Sequence, residues 1–368
     1  LEVPAAEREK SRGLVRRLAS ELFAERDDAT RRLRAMGRLA LPALAEAAAA
    51  DPDAEVRHRC ELLLPAAAAE DFDARLAAFL ADADGKFEHD LPGWAKFREL
   101  TGNDPLAREL FAELLKSDPN RDLIAGLAQG RAELERRVIA RRYELYWQIG
   151  PRGGWAEVGR PEPTLLDAAG LLFGEAQVPD KATPRGAVRT ATPYAILTRT
   201  GVRSEITTHR FGPAVQKLVI AWMDTRETPT SLGQAITLTG QFDPKGVSKY
   251  AARMIRAGGA TAYQRASAAT TVAKVGTKDD LPALVPLLTD EATVRGSATG
   301  GADIQVRDVA LAMAALMAGR DPAEFGLASQ SSSGPQYYYW NYSFPDEAAR
   351  ERGLAKWAEL EPKFAPKK

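Results

Sequence analysis

Between Arg12 and Phe23 the side chains of Leu14, Leu18 and Leu22 recur every fourth position, which lays them along one stripe of an α-helix. Asp27 and Asp28 read as a cap for a second helix that carries Ala29, Leu33 and Met36 on one side and stops at Gly37. Pro42 falls in the first turn of a third helix, where its missing N–H costs nothing, and that helix runs through an alanine block to Asp51-Pro52. A fourth begins near Asp53, with Val56, Cys60 and Leu63 on a common face.

Helical spacing continues over Phe72–Leu80, Trp94–Leu100, Pro105–Lys116 and from about Ala128 to Ile149, with Gly and Asp as punctuation. Beyond it, Leu165–Glu175, Pro213–Asp224, Thr230–Gln241 and Val247–Ala257 are further helices. Residues 151–164 and 178–201 are rich in Gly, Pro and Thr and read as loop insertions. Near the end the first pattern returns. Ala269, Val272, Ala273 and Val275 precede Gly276, Leu281-Pro282-Ala283-Leu284 repeats Leu41-Pro42-Ala43-Leu44, and Val306-Arg307 repeats Val56-Arg57. Leu281–Leu288 and Ile304–Met317 are its predicted helices. Extra residues around Gly296 to Gly301 make the second copy longer and predict a loop or small hairpin over 292–303. A closing helix, Asp346–Leu360, has the polar outer face of a cap.

A helix, a tight turn and a second helix cannot bury an apolar face alone, so such units stack on one another. Leu33-Arg34-Ala35-Met36-Gly37, Leu41-Pro42-Ala43-Leu44 and Asp51-Pro52-Asp53-Ala54-Glu55-Val56-Arg57 together resemble a HEAT repeat, as found in bacterial HEAT-like proteins of the HEAT/armadillo superfamily. The resemblance covers residues 14–64 and 263–320, and elsewhere rests on helical pattern. It implies an all-α, right-handed α-α superhelix, a HEAT-like solenoid with irregular insertions. It also implies a ladder of Asp and Arg between repeats, in which Asp51 and Arg57 take part. In the second copy either Arg295 or Arg307 can stand opposite Asp290, and Arg307 is the one proposed. The expected organisation is a helical region over 1–150, a loop-rich insertion with one short helix over 151–204, and a second helical region over 205–368.

The 368 residues carry 50 basic and 50 acidic side chains, so no overall charge draws the chain to nucleic acid or an anionic membrane. Cys60 is the single cysteine, which leaves no disulfide and no thiolate cluster within the chain. Residue 1 is Leu, which fits a processed chain and leaves export open. No apolar run is long enough to span a membrane. His58 and Cys60 lie two apart on a helix and point away from each other, so they cannot share an ion. Asp82-Ala83-Asp84-Gly85 lacks the spacing of a calcium loop and reads as a capped turn. No nucleophile elbow, zinc-helix or phosphate-loop motif is present, and His209 reads as a connection residue, so neither enzyme activity nor a cofactor or metal is expected.

Arg131, Arg136, Arg137, Arg141 and Arg142 spread around one helix, with Glu133 and Glu144 a turn from the pair that shares a face. That describes a salt-bridged helix rather than a phosphate track. Arg185, Arg189, Arg199, Arg203 and Arg210 form a better basic stretch, and some HEAT-like DNA glycosylases do use a basic concave surface, so nucleic-acid binding is the alternative function. The resemblance favours a non-catalytic scaffold for a protein or peptide partner. Tyr337 to Phe344 is the least ordinary segment. Its rings either fold back as core or form a contact patch, for which Tyr338, Trp340 and Tyr342 are the candidates.

Overall fold

In the computed structural model, which describes residues 2–149, 162–180, 192–242, 246–296, 302–329, 336–339 and 341–360, glycine ends the first repeat helix as its position predicts. Helices α1 (Ala5–Arg17) and α2 (Phe23–Met36) bury Leu14, Val15, Ala29 and Leu33 in a common core. Gly37 then takes φ 52°, and a Cβ there would lie 1.7 Å from the Glu70 carboxylate, so only glycine fits the turn. A 3-10 turn, Gly37–Ala40, leads into α3 (Leu41–Ala50), and α4 (Ala54–Ala81) packs back along it.

Asp53 caps α4, accepting the Glu55 amide at 2.8 Å. Although the sequence suggests a break before Phe72, α4 is continuous for 28 residues through Pro65. Pro65 and Glu61 both face solvent, so the carbonyl freed by the missing N–H meets water, and the alanines that follow favour helix. Cys60 is fully buried, and burial first, then the charge of Asp51, pushes its thiol up to about 11.

The remainder of this unit is α5 (Trp94–Thr101), α6 (Pro105–Lys116) and the start of α7 (Asp118–Ala125). Their core is aromatic: Phe79 meets Trp94 edge-on at 4.7 Å, and Phe97 lies 5.0 Å from Phe111. Arg108 is buried in it, its guanidinium 4.0 Å above the Phe79 ring, and donates to the Phe79 carbonyl at 2.6 Å and Asn103 Oδ1 at 3.0 Å. Asp82 closes the turn after α4. It accepts the amides of Lys86 and Phe87 at 2.9 and 3.0 Å and holds His89 Nε2 at 2.9 Å. This is a capped turn, built by one carboxylate.

The chain divides into two compact units, Leu1–Arg121 and Asp122–Lys368. That division differs from the expected boundary at 150, because α8 (Arg131–Ile149) packs on α9 (Leu165–Ala176) inside the second unit. The second unit continues with α10 (Pro193–Leu197), α11 (Thr200–Thr208), α12 (Gly212–Asp224), α13 (Pro229–Phe242) and α14 (Val247–Arg256). A buried polar cluster ties these together. Glu175 of α9 accepts Arg142 Nε of α8 at 2.5 Å and the Trp222 indole N–H of α12 at 2.8 Å. Asp180 accepts Arg226 at 3.3 Å and the Ser231 hydroxyl of α13 at 2.5 Å.

The second repeat begins with α15 (Ala262–Val275). Where a helix over Leu281–Leu288 is expected, there are two 3-10 turns, Lys278–Ala283 and Val285–Thr289. Pro282 and Pro286, four apart, each remove a donor that an α-helix needs there. The insertion forms an antiparallel hairpin of β1 (Thr293–Arg295) and β2 (Ile304–Gln305), and α16 (Val306–Met317) follows directly. A second small ladder pairs β3 (Ala328–Ser329) with β4 (Tyr342–Ser343) before the closing helix α17 (Glu347–Leu360). With 17 α-helices against four strands of two or three residues among the described residues, the protein is all-α. No helix among them is long and apolar enough to cross a membrane.

Helix α17 is fixed by Arg350, which is buried with Asp308 of α16 and donates to both carboxylate oxygens, at 2.7 and 3.0 Å. Asp308→Ala removes the buried carboxylate from that guanidinium, leaving it the half-exposed Glu347 and the Asp303 carbonyl, and is expected to destabilise the second unit by about 3 kcal/mol. Urea unfolding followed by circular dichroism measures this; a loss within error of zero contradicts the packing described.

A second prediction concerns acid. Burial raises the Asp82 carboxyl, but His89, the Phe87 and Lys86 amides and the Arg108 charge outweigh it and hold the group at about 2, against an ordinary 3.8. Because the folded value is the lower one, this stabilisation is complete above the ordinary value and is lost as pH falls from about 4 towards 2. Melting temperatures across that range fall steeply in the native chain, and Asp82→Asn flattens the slope; equal slopes contradict the assignment.

Candidate binding surface

The aromatic segment is split by the fold. Tyr342 lies in β4, opposite Ser329, and is only 8% exposed, so its ring is core rather than surface. Burial raises its hydroxyl above the ordinary value, against the Asn341 hydrogen bond that draws it down, with smaller raising contributions from Asp321 and Tyr337. Tyr337 and Tyr339 are half-buried against the core made by α15, α16 and α17. Tyr338 is 37% exposed and stacks on Tyr339 with ring centres 6.0 Å apart and planes at 15°. Trp340 lies outside the described residues.

The ring that completes the surface comes from elsewhere in the chain. Tyr263, at the start of α15, is 54% exposed and meets Tyr339 edge-on at 5.1 Å. Three tyrosines therefore form a ladder, Tyr263, Tyr339, Tyr338, with the outer two open to solvent. Burial and the two flanking tyrosines raise the Tyr339 hydroxyl, while Arg295 in β1 draws it down. A tyrosine hydroxyl can donate to a partner, and its ring offers large rigid area. Tyr263 went unnoticed in the sequence because its partners are far along the chain; its place at the head of a repeat helix is the one available signal.

The expected Asp–Arg ladder takes another form. Arg57 Nη1 donates to the carbonyls of Asp51 and Pro52, at 2.7 and 3.1 Å, while the Asp51 carboxylate accepts the Asp53 amide at 2.9 Å. No Asp51–Arg57 side-chain pair is formed, because the guanidinium is used to tie down the turn before α4. Arg307 holds Glu291 at 2.9 Å and Glu347 at 2.8 Å, joining the hairpin region to α17. The residue opposite Asp290 is neither Arg295 nor Arg307 but Arg265 of α15, at 2.6 Å.

Arg265 stands at the same distance before Gly276 as Arg26 does before Gly37, and Asp290 and Asp51 stand at equal distances after those glycines. Arg265 donates to the Ala260 carbonyl, and Arg26 to those of Ser20 and Glu21, just ahead of their helices. Both aspartates accept the amide two residues on. The two copies thus share more than their turn sequence.

The arginines of α8 are engaged. Arg131 pairs with Glu135, Arg136 and Arg137 with Glu133, Arg141 with Glu144 and Asp167, and Arg142 with Glu175. Of the second basic stretch, Arg185 and Arg189 lie outside the described residues, Arg199 pairs with Glu162 at 3.4 Å and Arg210 sits over Phe211 at 4.4 Å. His209 Nδ1 accepts the Phe211 amide, which makes the ring part of a turn.

No protein-family model matches the sequence, and no curated protein and no solved structure matches the chain significantly.

Limited nitration of the native protein followed by peptide mapping tests this surface. Tyr263 and Tyr338 are expected to react well ahead of Tyr342; modification of Tyr342 at the same rate contradicts the burial described.

Proposed function

We propose that the chain is a HEAT-like α-solenoid, with right-handed stacking of helical hairpins, that acts as a non-catalytic scaffold and takes a protein or peptide partner on the tyrosine ladder. The matched Arg, Gly and Asp positions of the two copies support the repeat reading. The partner reading is carried by one observation: Tyr263 and Tyr338 are held exposed on either side of Tyr339, on a face backed by a packed helical core. Tyrosine loses little side-chain freedom on contact and supplies both area and a hydrogen-bonding end, which is the composition of protein-binding hot spots. Phosphate binding draws instead on cations free to release counterions, and the α8 arginines are already paired with carboxylates.

The test is site-specific photo-crosslinking, with p-benzoylphenylalanine placed at position 263 or 338 in cells that make the protein. The same partner protein is expected at both positions and not at the exposed control position Glu99, and a Tyr263→Ala, Tyr338→Ala double variant is expected to weaken its binding by roughly tenfold or more with unchanged melting. Absence of a crosslink at both positions, or identical products from the control, contradicts the proposal.

A further inference from the structure

The tyrosine ladder brings phenol rings from distant parts of the chain into contact. Tyr263 belongs to the first turn of α15, and Tyr339 to the segment ahead of β4. Their ring centres are 5.1 Å apart and their planes stand at 90°, so an edge of one ring is turned towards the other. The ortho carbons of a phenol lie on its edge, and they share the unpaired electron of a tyrosyl radical. Joining two such rings through those carbons brings the centres closer by less than the length of the bond formed. Tyr338 and Tyr339 are related differently. Their centres are 6.0 Å apart with planes at 15°, so faces meet and the ortho carbons lie in separate layers. Mobility and access also favour the first pair. Tyr263 is 54% exposed, which leaves it open to an oxidant and gives its ring room to tilt, whereas Tyr339 is half-buried against the core of α15, α16 and α17 and held in place.

We propose that Tyr263 and Tyr339 are a modification site, joined as dityrosine when a peroxide, acting through a haem peroxidase, oxidises them by one electron each. Each phenol gives up one electron and its hydroxyl proton, and the two radicals couple through their ortho carbons to form one C–C bond. The hydrogen on each of those carbons then moves to the ring oxygen, which restores both phenols. Two electrons and two protons thus leave the protein, and they reduce one hydrogen peroxide to two waters. The new bond ties the head of α15 to the aromatic segment and closes the chain between residues 263 and 339 into a loop, which restricts the unfolded state. The site depends on ring geometry alone and not on the partner reading given to the same tyrosines.

Oxidation of the full chain at low concentration with hydrogen peroxide and a haem peroxidase, followed by digestion and mass spectrometry, tests the site. A monomer-sized product lighter by two hydrogen atoms is expected, with a cross-linked peptide pair that joins Tyr263 to Tyr339. Tyr263→Phe keeps the ring and removes the phenol, so dityrosine fluorescence of the monomer fraction is expected to be lost at unchanged melting temperature. Oxidation in urea, where the two rings are no longer held together, is expected to abolish the pair as well, and this arm does not depend on how any variant folds. Tyr143 is 49% exposed, close to Tyr263, and its coupling measures what exposure alone produces. Absence of the Tyr263–Tyr339 pair from the folded protein, an equal yield in urea, full fluorescence in Tyr263→Phe, or pairs that contain Tyr143 or join Tyr263 to Tyr338 in equal yield overturns the proposal.

Discussion

The ion pair between Asp308 and Arg350 is the constraint on which the candidate binding surface depends. Both groups are withdrawn from water, Arg350 to 1% exposure and Asp308 to none, so removing either leaves the other buried short of its main partner. Arg350 also donates to the Asp303 carbonyl at 2.6 Å, and Asp308 accepts the Gln305 amide at 2.9 Å. One contact thereby joins α16, α17 and the strand β2. The aromatic segment runs between these elements, with Phe344 buried and the Arg350 guanidinium 5.9 Å from its ring. With α17 anchored, the segment has a core to lie against, and Tyr337 and Tyr339 can be half-buried while Tyr338 is turned outward.

The same device recurs at other helix contacts in both units. Arg108 occupies the aromatic core of the first unit, and Arg142 and Arg226 meet Glu175 and Asp180 in the second. Alanine and glycine are abundant on these helix faces, and they contribute little directional preference to packing. A guanidinium that must find particular carbonyls and carboxylates selects one arrangement among many that would bury similar apolar area. Arg226 shows the effect, since it donates to the carbonyls of Glu175 and Val178 at the end of α9 as well as to Asp180. Buried ion pairs add little net stability compared with apolar residues of equal size, and their contribution here is to fix register between helices.

Much of the helical skeleton was legible in the sequence. Pro105–Lys116 has a capping Asp104, a proline at its first position and a stripe of Leu110, Phe111, Leu114 and Leu115, and it forms between those residues. Gly37 was legible for similar local reasons, and the insertion over 292–303 was legible as either a loop or a small hairpin. The separate helix expected over Phe72–Leu80 is the end of one long helix, because the cost of Pro65 within it depends on whether the freed carbonyl reaches water, and that is a tertiary fact. Pro282 was read, like Pro42, as the start of a helix, but a second proline four residues on disfavours the helix itself. The buried arginines were hidden more deeply. Arg141 and Arg142 follow a run of solvated charges, and nothing local distinguishes them from Arg136; their partners Asp167 and Glu175 lie beyond a loop. Tyr263 and Arg265 were missed for the same reason, since each acquires its role from residues far along the chain.

Amide hydrogen exchange in an Asp308→Asn variant tests most directly whether one buried contact sets the geometry of the surface. Protection is expected to fall together in β1–β2, in Tyr337, Tyr338 and Tyr339 and in α17, while α8, α9 and α12, held by Glu175 and Asp180, exchange as in the native protein. Loss of protection confined to α17, with the tyrosine segment unchanged, contradicts the account.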